Sequence, residues 1–343
     1  MSGLHPAAAL AAGAAVLPRA SLATLPTALE PGPPLPGGAR LWVKRDDLTG
    51  LGLGGNKARK LELLCGAALA AGADVLVTAG AGQSNHCRTT AAAGARLGLP
   101  VHLVLGGPEV AEPAGNQLLS RLFGAHQHMV GTSAWPELEA AKDALCARLE
   151  QDGARPYGIP IGGSTPVGAV GFALAWRELM EQCADEACRP SAVVHATSSG
   201  ATHAGLLAGR AVYRAAGLTV PDLVAVAVAK GIVLDETAVV GLARETLGLL
   251  GLESSADALA PLELRTDELG PDYGVPTAEG DAALHWAARH GGWVLDRTYT
   301  AKALAAVLAL ADAGRWAPGD DVVFWHTGGV PSLFAPGGYP TSG

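Results

Sequence analysis

At 343 residues the chain exceeds what one ordinary core requires, so with roughly 150 residues per domain as the guide, two packed domains or one large α/β domain are expected. Hydrophobic residues at 49% and charged residues at 16% exclude a disordered chain. The balance of 24 basic against 32 acidic residues, a net charge of −8, leaves no basic field for a nucleic acid or an anionic membrane, and neither partner is expected.

From the N-terminus, the apolar run Ala7 to Leu17 has no Lys or Arg before it and is too short to span a bilayer, so it is not read as a signal peptide. Pro31–Gly38 reads as a surface connection, Leu41–Lys44 as a strand and Lys57–Ala71 as a helix. Strand Val75–Ala79, helix Asn85–Leu97, strand Val101–Leu105 and helix Glu137–Gln151 continue the alternation. The Gly/Pro cluster Ile159–Gly171 is the expected crossing between two lobes. Beyond it come helix Val170–Cys183, strand Ala192–Thr197, helix Ala204–Ala215, strand Leu223–Ala229, helix Ala278–His290 and strand Val322–Trp325. This is the βαβ rhythm of a parallel sheet. Five cysteines at scattered spacings, with no CxxC pair, predict neither a disulfide framework nor a zinc site; a reducing, cytoplasmic setting and no metal are expected.

Three loops carry candidate chemistry. In residues 44 to 64, Gly50, Gly52 and Gly55 satisfy GxGxxG, but Lys44, Arg45, Asp46 and Asp47 stand where a dinucleotide site has a buried apolar strand end. Lys57 lies between that glycine loop and the first turn of a helix patterned by Leu61, Leu64, Cys65, Ala68 and Leu69. The helix N-terminus and the neighbours Arg59 and Lys60 both disfavour a protonated amine, so Lys57 is read as a neutral nucleophile able to form an imine. In the second loop, residues 78 to 88, Ser84 and Asn85 sit where N-caps belong, and the N–H groups there can hold a carboxylate. The third runs from a buried strand through Ser198, Ser199, Gly200, Ala201 and Thr202 into a helix, an arrangement that wraps a phosphate without the Gly-Lys-Ser/Thr of a nucleotide loop. Tyr273, Tyr299 and Thr327 fall in or beside turns, where side chains face a cleft.

An imine-forming lysine, a carboxylate site and a phosphate cup on one α/β chain are together the requirements of a pyridoxal 5′-phosphate (PLP) enzyme acting on an amino acid. The segments GGNKARKLELL, TAGAGQSNH, SSGATHAGL, YGVP and HTGG, in this order, resemble the family of 1-aminocyclopropane-1-carboxylate deaminase and D-cysteine desulfhydrase, within the tryptophan-synthase-β-like, fold type II PLP enzymes. The resemblance runs from about Leu22 to Phe334. It implies two open, twisted, mostly parallel sheets flanked by helices, with a large PLP-binding domain from residues 1–60 and 170–343 and a small αβα domain inserted at 61–169. It further implies Lys57 as the Schiff-base lysine beside Asn56; Ser84, Asn85 and His86 toward the substrate and, for Asn85, the cofactor; and Ser198 to Thr202 around the phosphate. Tyr273 and Tyr299 would face the substrate, Ser84 and the tyrosines would share in proton transfer, and Thr327 would meet the pyridine nitrogen. A homodimer is the family's common state.

Two departures narrow the activity within that resemblance. Thr300 stands where the deaminase branch has a glutamate, and His326-Thr327-Gly328-Gly329 resembles the desulfhydrase branch, so a lyase eliminating a β-substituent from a three-carbon amino acid, D-cysteine foremost, is expected. L-cysteate sulfo-lyase and, less favoured, aminocyclopropane carboxylate deaminase are the alternatives inside the class. Outside it stand an NAD-dependent oxidoreductase and a PLP carrier without turnover.

Overall fold

The structure is a computed structural model that describes residues 4–108, 111–229, 235–253 and 255–339. Helix α1 (Pro6–Ala15) comes first, and β1 (Leu29–Pro31) pairs antiparallel with β2 (Arg40–Arg45). One continuous run then supplies α2 (Lys57–Ala70), β3 (Val75–Ala81), α3 (Asn85–Leu97), β4 (Val101–Gly106), α4 (Gly115–Leu122), β5 (His126–Val130), α5 (Trp135–Gln151) and β6 (Pro156–Ile159). The remainder is α6 (Pro166–Asp185), β7 (Pro190–Thr197), α7 (Ala201–Ala215), β8 (Asp222–Ala227), α8 (Glu236–Leu249), α9 (Ala256–Leu259), β9 (Glu263–Arg265), α10 (Ala278–Trp286), α11 (Thr300–Asp312) and β10 (Asp321–His326).

Among the described residues ten strands form two sheets: six in the order β1-β2-β10-β7-β8-β9 and four in the order β5-β4-β3-β6, all pairs parallel except β1 with β2. The central strands are buried on both faces, which is why they read as unbroken apolar runs. On one face of the large sheet, Phe172 and Trp176 of α6 pack with Leu206 and Leu207 of α7 and with Trp325. Leu284 of α10 and Leu304 of α11 cover the other face against Leu41, Val194, Val224 and Phe324. In the small sheet, Leu103 faces Leu61, Leu64 and Ala91 of α2 and α3, while its neighbour Val104 faces Leu138 and Leu145 of α5, the period-two alternation of a strand between two helical layers.

The two-sheet α/β architecture, and the strands and helices expected above, are all present, with ends shifted by a few residues. The strands β1, β5, β6 and β9 carried no sequence signal because they are short edges or rich in His, Gln and Pro. Helix α11 was hidden because TAKALAAVLALAD is buried almost all round and shows no polar stripe. The Ala7–Leu17 segment is helix α1, with Leu10 wholly buried against the α6 and α7 layer and Gly13 so close that a Cβ would lie 2.3 Å from the Leu250 carbonyl oxygen. Among the described residues no helix is long and apolar enough to cross a membrane.

Candidate active site

Backbone geometry places the first turn of α2. After β2 the chain turns through Asp46–Leu48 and the glycine loop, where Gly54 at φ 70° leaves no room for a side chain, since a Cβ would sit 1.8 Å from the Asp47 carbonyl oxygen. Gly55 lies against Gly328 beyond β10, and the Asn56 N–H donates to the Thr327 carbonyl at 2.9 Å. Asn56 does not cap the helix with its side chain; its amide donates to Thr202 Oγ1 at 3.2 Å, tying α2 to α7. Beneath this turn, Arg59 binds Asp46 and Glu178 at 2.8 Å each, and Lys44 binds Glu178 and Gln182. The charged residues Arg59, Lys60 and Glu62 are therefore buried, so α2 has no polar face of the ordinary amphipathic kind.

Lys57 is the first residue of α2, enclosed by protein but open to a chamber, and burial lowers its amine from 10.5 to about 8. Burial moves Lys57 toward the neutral amine expected from sequence, although the charged form still dominates at pH 7, and the cause differs from the one given there. Arg59 points into its own ion pairs, and loss of hydration rather than repulsion by Arg59 or Lys60 shifts Lys57.

Opposite Lys57, β7 ends and α7 begins. Gly200 at φ 94° makes the turn, Ser199 Oγ accepts from Ser164 Oγ at 2.7 Å, and Ser198, Ser199, Gly200 and Thr202 line the chamber at the N-terminus of α7. Ala201 is buried and does not line it. A residue that sequence reasoning missed lies beside them: Lys60, which donates only to the Gly162 carbonyl, at 3.1 Å, among the described residues. Burial, then the charge of Lys57, push its amine well below the usual lysine value. Its position three residues after Lys57 on a helix was the signal available, since such residues share a face.

The N-terminus of α3 supplies a third wall. Ser84 is the N-cap, accepting the Cys87 N–H at 3.2 Å, whereas Asn85, also expected at a cap, is the first helical residue and accepts from Asn116 Nδ2 at 2.9 Å. His86 is buried. Thr78 donates its hydroxyl hydrogen to the Ile159 carbonyl at 2.8 Å, so the 3.0 Å contact with His86 requires the histidine to donate from Nε2. Nδ1 is then a bare acceptor without a partner among the described residues, and burial, with the charges of Lys57 and Lys60, keeps the ring neutral.

Tyr273 and Tyr299 share a short hydroxyl–hydroxyl hydrogen bond. Burial pushes Tyr273 up to about 12 and raises Tyr299 well above the ordinary tyrosine value, so both remain protonated. Tyr299 is held from behind by the Asp296 carboxylate, which accepts the N–H groups of Thr298, Tyr299 and Thr300 at 2.9, 2.9 and 3.0 Å. Thr300 also gives its hydroxyl to Asp296 at 2.8 Å, and so points into the loop rather than into the chamber. Thr327, just beyond β10, lines the chamber with Asn85 and Tyr299.

Two small adjoining chambers result. One holds Asn56, Lys57, Lys60, Asn85, the α7 loop, Tyr299 and Thr327; the other holds Lys57, Ser84, His86, Tyr273 and Tyr299. The fold thus unites every predicted site residue except Ala201, and adds Lys60, Trp135, Ile161 and Gly162. Among the described residues no Asp or Glu lines either chamber although two lysine amines do, which fits a ligand bearing negative charge, and the α7 N-terminus with its small residues fits a phosphate. An amine shifted to about 8 beside such a cup fits a carbonyl cofactor such as PLP.

Fold and site together define an α/β enzyme of the fold type II PLP class. The pyridoxal-phosphate dependent enzyme family model matches residues 20–328, and the chain belongs to this family, whose cofactor is PLP. It is 40% identical over 329 residues to D-cysteine desulfhydrases of Salmonella typhi and Salmonella choleraesuis, covering 93% of this chain and 96% of each relative. Among solved structures, an ACC deaminase homologue superposes with a TM-score of 0.85 at 35% identity, covering 97% of this chain and 98% of that one. A fungal L-serine ammonia-lyase from Rhizomucor miehei, at 17% identity and a TM-score of 0.64 over 91% of this chain and 95% of that one, shares the fold.

Proposed function

We propose that the protein is a PLP-dependent carbon–sulfur lyase that converts D-cysteine to pyruvate, ammonia and hydrogen sulfide. The observation that carries this reading is the pairing of a lysine-centred, acid-free chamber with a hydroxyl, Thr327, in place of a carboxylate at the end of β10. The D-cysteine desulfhydrases that share 40% of the sequence support it. In this reading Lys57 holds the cofactor covalently, Ser198 to Thr202 and Lys60 hold its phosphate, and Asn56 and Asn85 flank its ring. Bound there, PLP supplies an electron sink for the pair left at Cα.

The protein's own groups do the rest. Ser84 and the α3 N-terminus bind the substrate carboxylate, and His86 Nδ1 accepts from a substrate donor. The Lys57 amine, set free once the substrate amine takes its place on the cofactor, would remove the Cα proton. The Tyr273–Tyr299 pair, held protonated, is a poor base and a suitable donor to the departing sulfur. Thr327 would meet the pyridine nitrogen with a hydroxyl, which, unlike a carboxylate, would not keep it protonated, and this would favour prompt departure of the β-substituent over racemisation or transamination. The wholly buried Thr300, turned to Asp296, offers no carboxylate for opening a cyclopropane ring.

The residue division 1–60 with 170–343, and 61–169, is part of the same proposal: one domain carries the α7 loop and Thr327, and the other the α3 wall. A homodimer and a cytoplasmic setting complete it, supported respectively by the exposed Leu118, Leu122 and Phe334 and by five free cysteines. Pyruvate and sulfide release, measured across D-cysteine, L-cysteine, β-chloro-D-alanine, L-cysteate and aminocyclopropane carboxylate, tests the activity. D-Cysteine turns over fastest, with little racemised product, and Thr327→Asp shifts the balance toward transamination. Aminocyclopropane carboxylate deamination outrunning D-cysteine elimination would refute the reading.

A further inference from the structure

Arg88, one turn into α3, is wholly buried, and among the described residues no carboxylate pairs with it. Burial lowers it from 12.5 to about 10, so it stays a cation at neutral pH. A buried charge persists only where polar groups replace its hydration. Here Nη1 donates to the Gly52 and Gly54 carbonyls at 2.5 and 2.8 Å, in the glycine loop that leads to Lys57, and Nε donates to Asn116 Oδ1 at 3.1 Å.

Asn116, buried at the start of α4, is thereby held in one orientation. A guanidinium only donates, so it requires the amide oxygen. On the other side the Gln83 main-chain carbonyl only accepts, so it requires Nδ2, which lies 2.9 Å away. The second Nδ2 hydrogen goes to Asn85 Oδ1, also at 2.9 Å. A carboxamide has one oxygen and one nitrogen, so Asn85, which lines the chamber with Lys57 and Thr327, has its Nδ2 turned away from Asn116. Both amides are oriented by groups that cannot exchange roles.

We infer that Arg88 and Asn116 are positioning residues that set the polarity of Asn85, so that the chamber wall presents an N–H donor there and not a carbonyl oxygen. The inference rests on PLP occupying the chamber and not on which amino acid is the substrate. PLP carries a ring oxygen that is ionised at neutral pH, and an anionic oxygen is stabilised by an amide N–H and repelled by an amide carbonyl. The guanidinium that orients Asn116 also clamps the glycine loop, so one buried group sets both the lysine-bearing turn and the Asn85 wall.

The test separates polarity from bulk. Asn116→Asp keeps the side-chain shape and gives Arg88 a counter-charge, but it turns an acceptor toward Asn85, which then rotates its N–H toward position 116 and its carbonyl oxygen toward the chamber. Asn116→Ala removes the amide and imposes neither orientation. Equilibrium dialysis of the PLP-loaded protein should show the Kd for PLP raised about tenfold in Asn116→Asp and by less in Asn116→Ala. A packing role gives the reverse order, because aspartate fills the space and alanine does not. A donor beside the ring oxygen favours its ionised form, so the pH midpoint of the visible absorption band should rise by about one unit in Asn116→Asp. In an Asn85→Ala background neither substitution at position 116 should change the Kd further. A loss in Asn116→Ala equal to or above that in Asn116→Asp, an unmoved midpoint, or a position-116 effect undiminished in the Asn85→Ala background would each overturn the inference. Should Asn116→Asp not fold, the cycle of Asn116→Ala with Asn85→Ala reads the same coupling without a buried carboxylate, and additive effects there would overturn the inference as well. A wild-type protein that retains no PLP would remove the cofactor reading itself, and this inference with it.

Discussion

A lysine side chain moved from water to the floor of a cleft loses the hydration that favours its charge, and among the described residues no acid lines the chamber to restore it; that is the physical content of Lys57 at about 8. Capture of PLP by the cofactor-free protein requires the neutral amine. Its rate should rise about tenfold per pH unit below that value and level off above it, followed by absorbance. Borohydride reduction of the loaded protein followed by peptide mapping should place the pyridoxyl group on Lys57; a label on another lysine would contradict the assignment. Lys57, Ser84 and Thr327 were legible in the sequence because each sits at the junction of a turn with a regular element. Lys60 was not, because a lysine on a helix reads as solvated until the structure shows it buried with only a carbonyl for company.

At the scale of elements, the site depends on how two helices begin. Gly200 starts α7 at φ 94°, where a side chain is strained, and Gly200→Glu puts a bulky carboxylate into the cup, where it takes the place of the phosphate and repels it. The variant should purify without retained PLP; one that stays yellow and active would mean that the phosphate lies elsewhere. The start of α2 rests on the network of Lys44, Asp46, Arg59 and Glu178. Burial alone would raise the Glu178 carboxyl, but the hydrogen bond and charge of Arg59 and the charge of Lys44 bring it down from 4.5 to about 2. The folded pKa is the lower one, so its stabilising contribution is complete above about 4.5 and is lost as pH falls toward about 2. Glu178→Gln should cost about 3 kcal/mol near neutral pH and flatten the loss of Tm over that acid range, because it leaves two buried cations facing one carboxylate. The sequence displayed these four residues as a charged stretch and a helix face; that they form one buried network across β2, α2 and α6 follows only from how those elements pack.

Across the whole molecule, α4 lies against the 330–334 turn, and these two elements carry Leu122 and Phe334, large apolar side chains 75% and 71% exposed, which a second copy would cover in the proposed dimer. The protein should elute at twice the chain mass and Leu122→Glu at the single mass; an unmodified protein that elutes as a monomer would end the dimer proposal. What the sequence by itself determined is local: alternating apolar strands and helices, and three glycine or small-residue loops at strand ends, each dictated by backbone sterics and hydrogen bonding within a few residues. Edge strands such as β5 and the wholly buried α11 escaped it, since neither carries a pattern that separates one face from another. Only the tertiary structure decided the order of the strands within the two sheets that the resemblance implied, the removal of carboxylates from around Lys57, and the cause of its lowered pKa. Those properties depend on which distant segments exclude water from one another, and a strand order or a desolvated cavity has no signature in neighbouring residues.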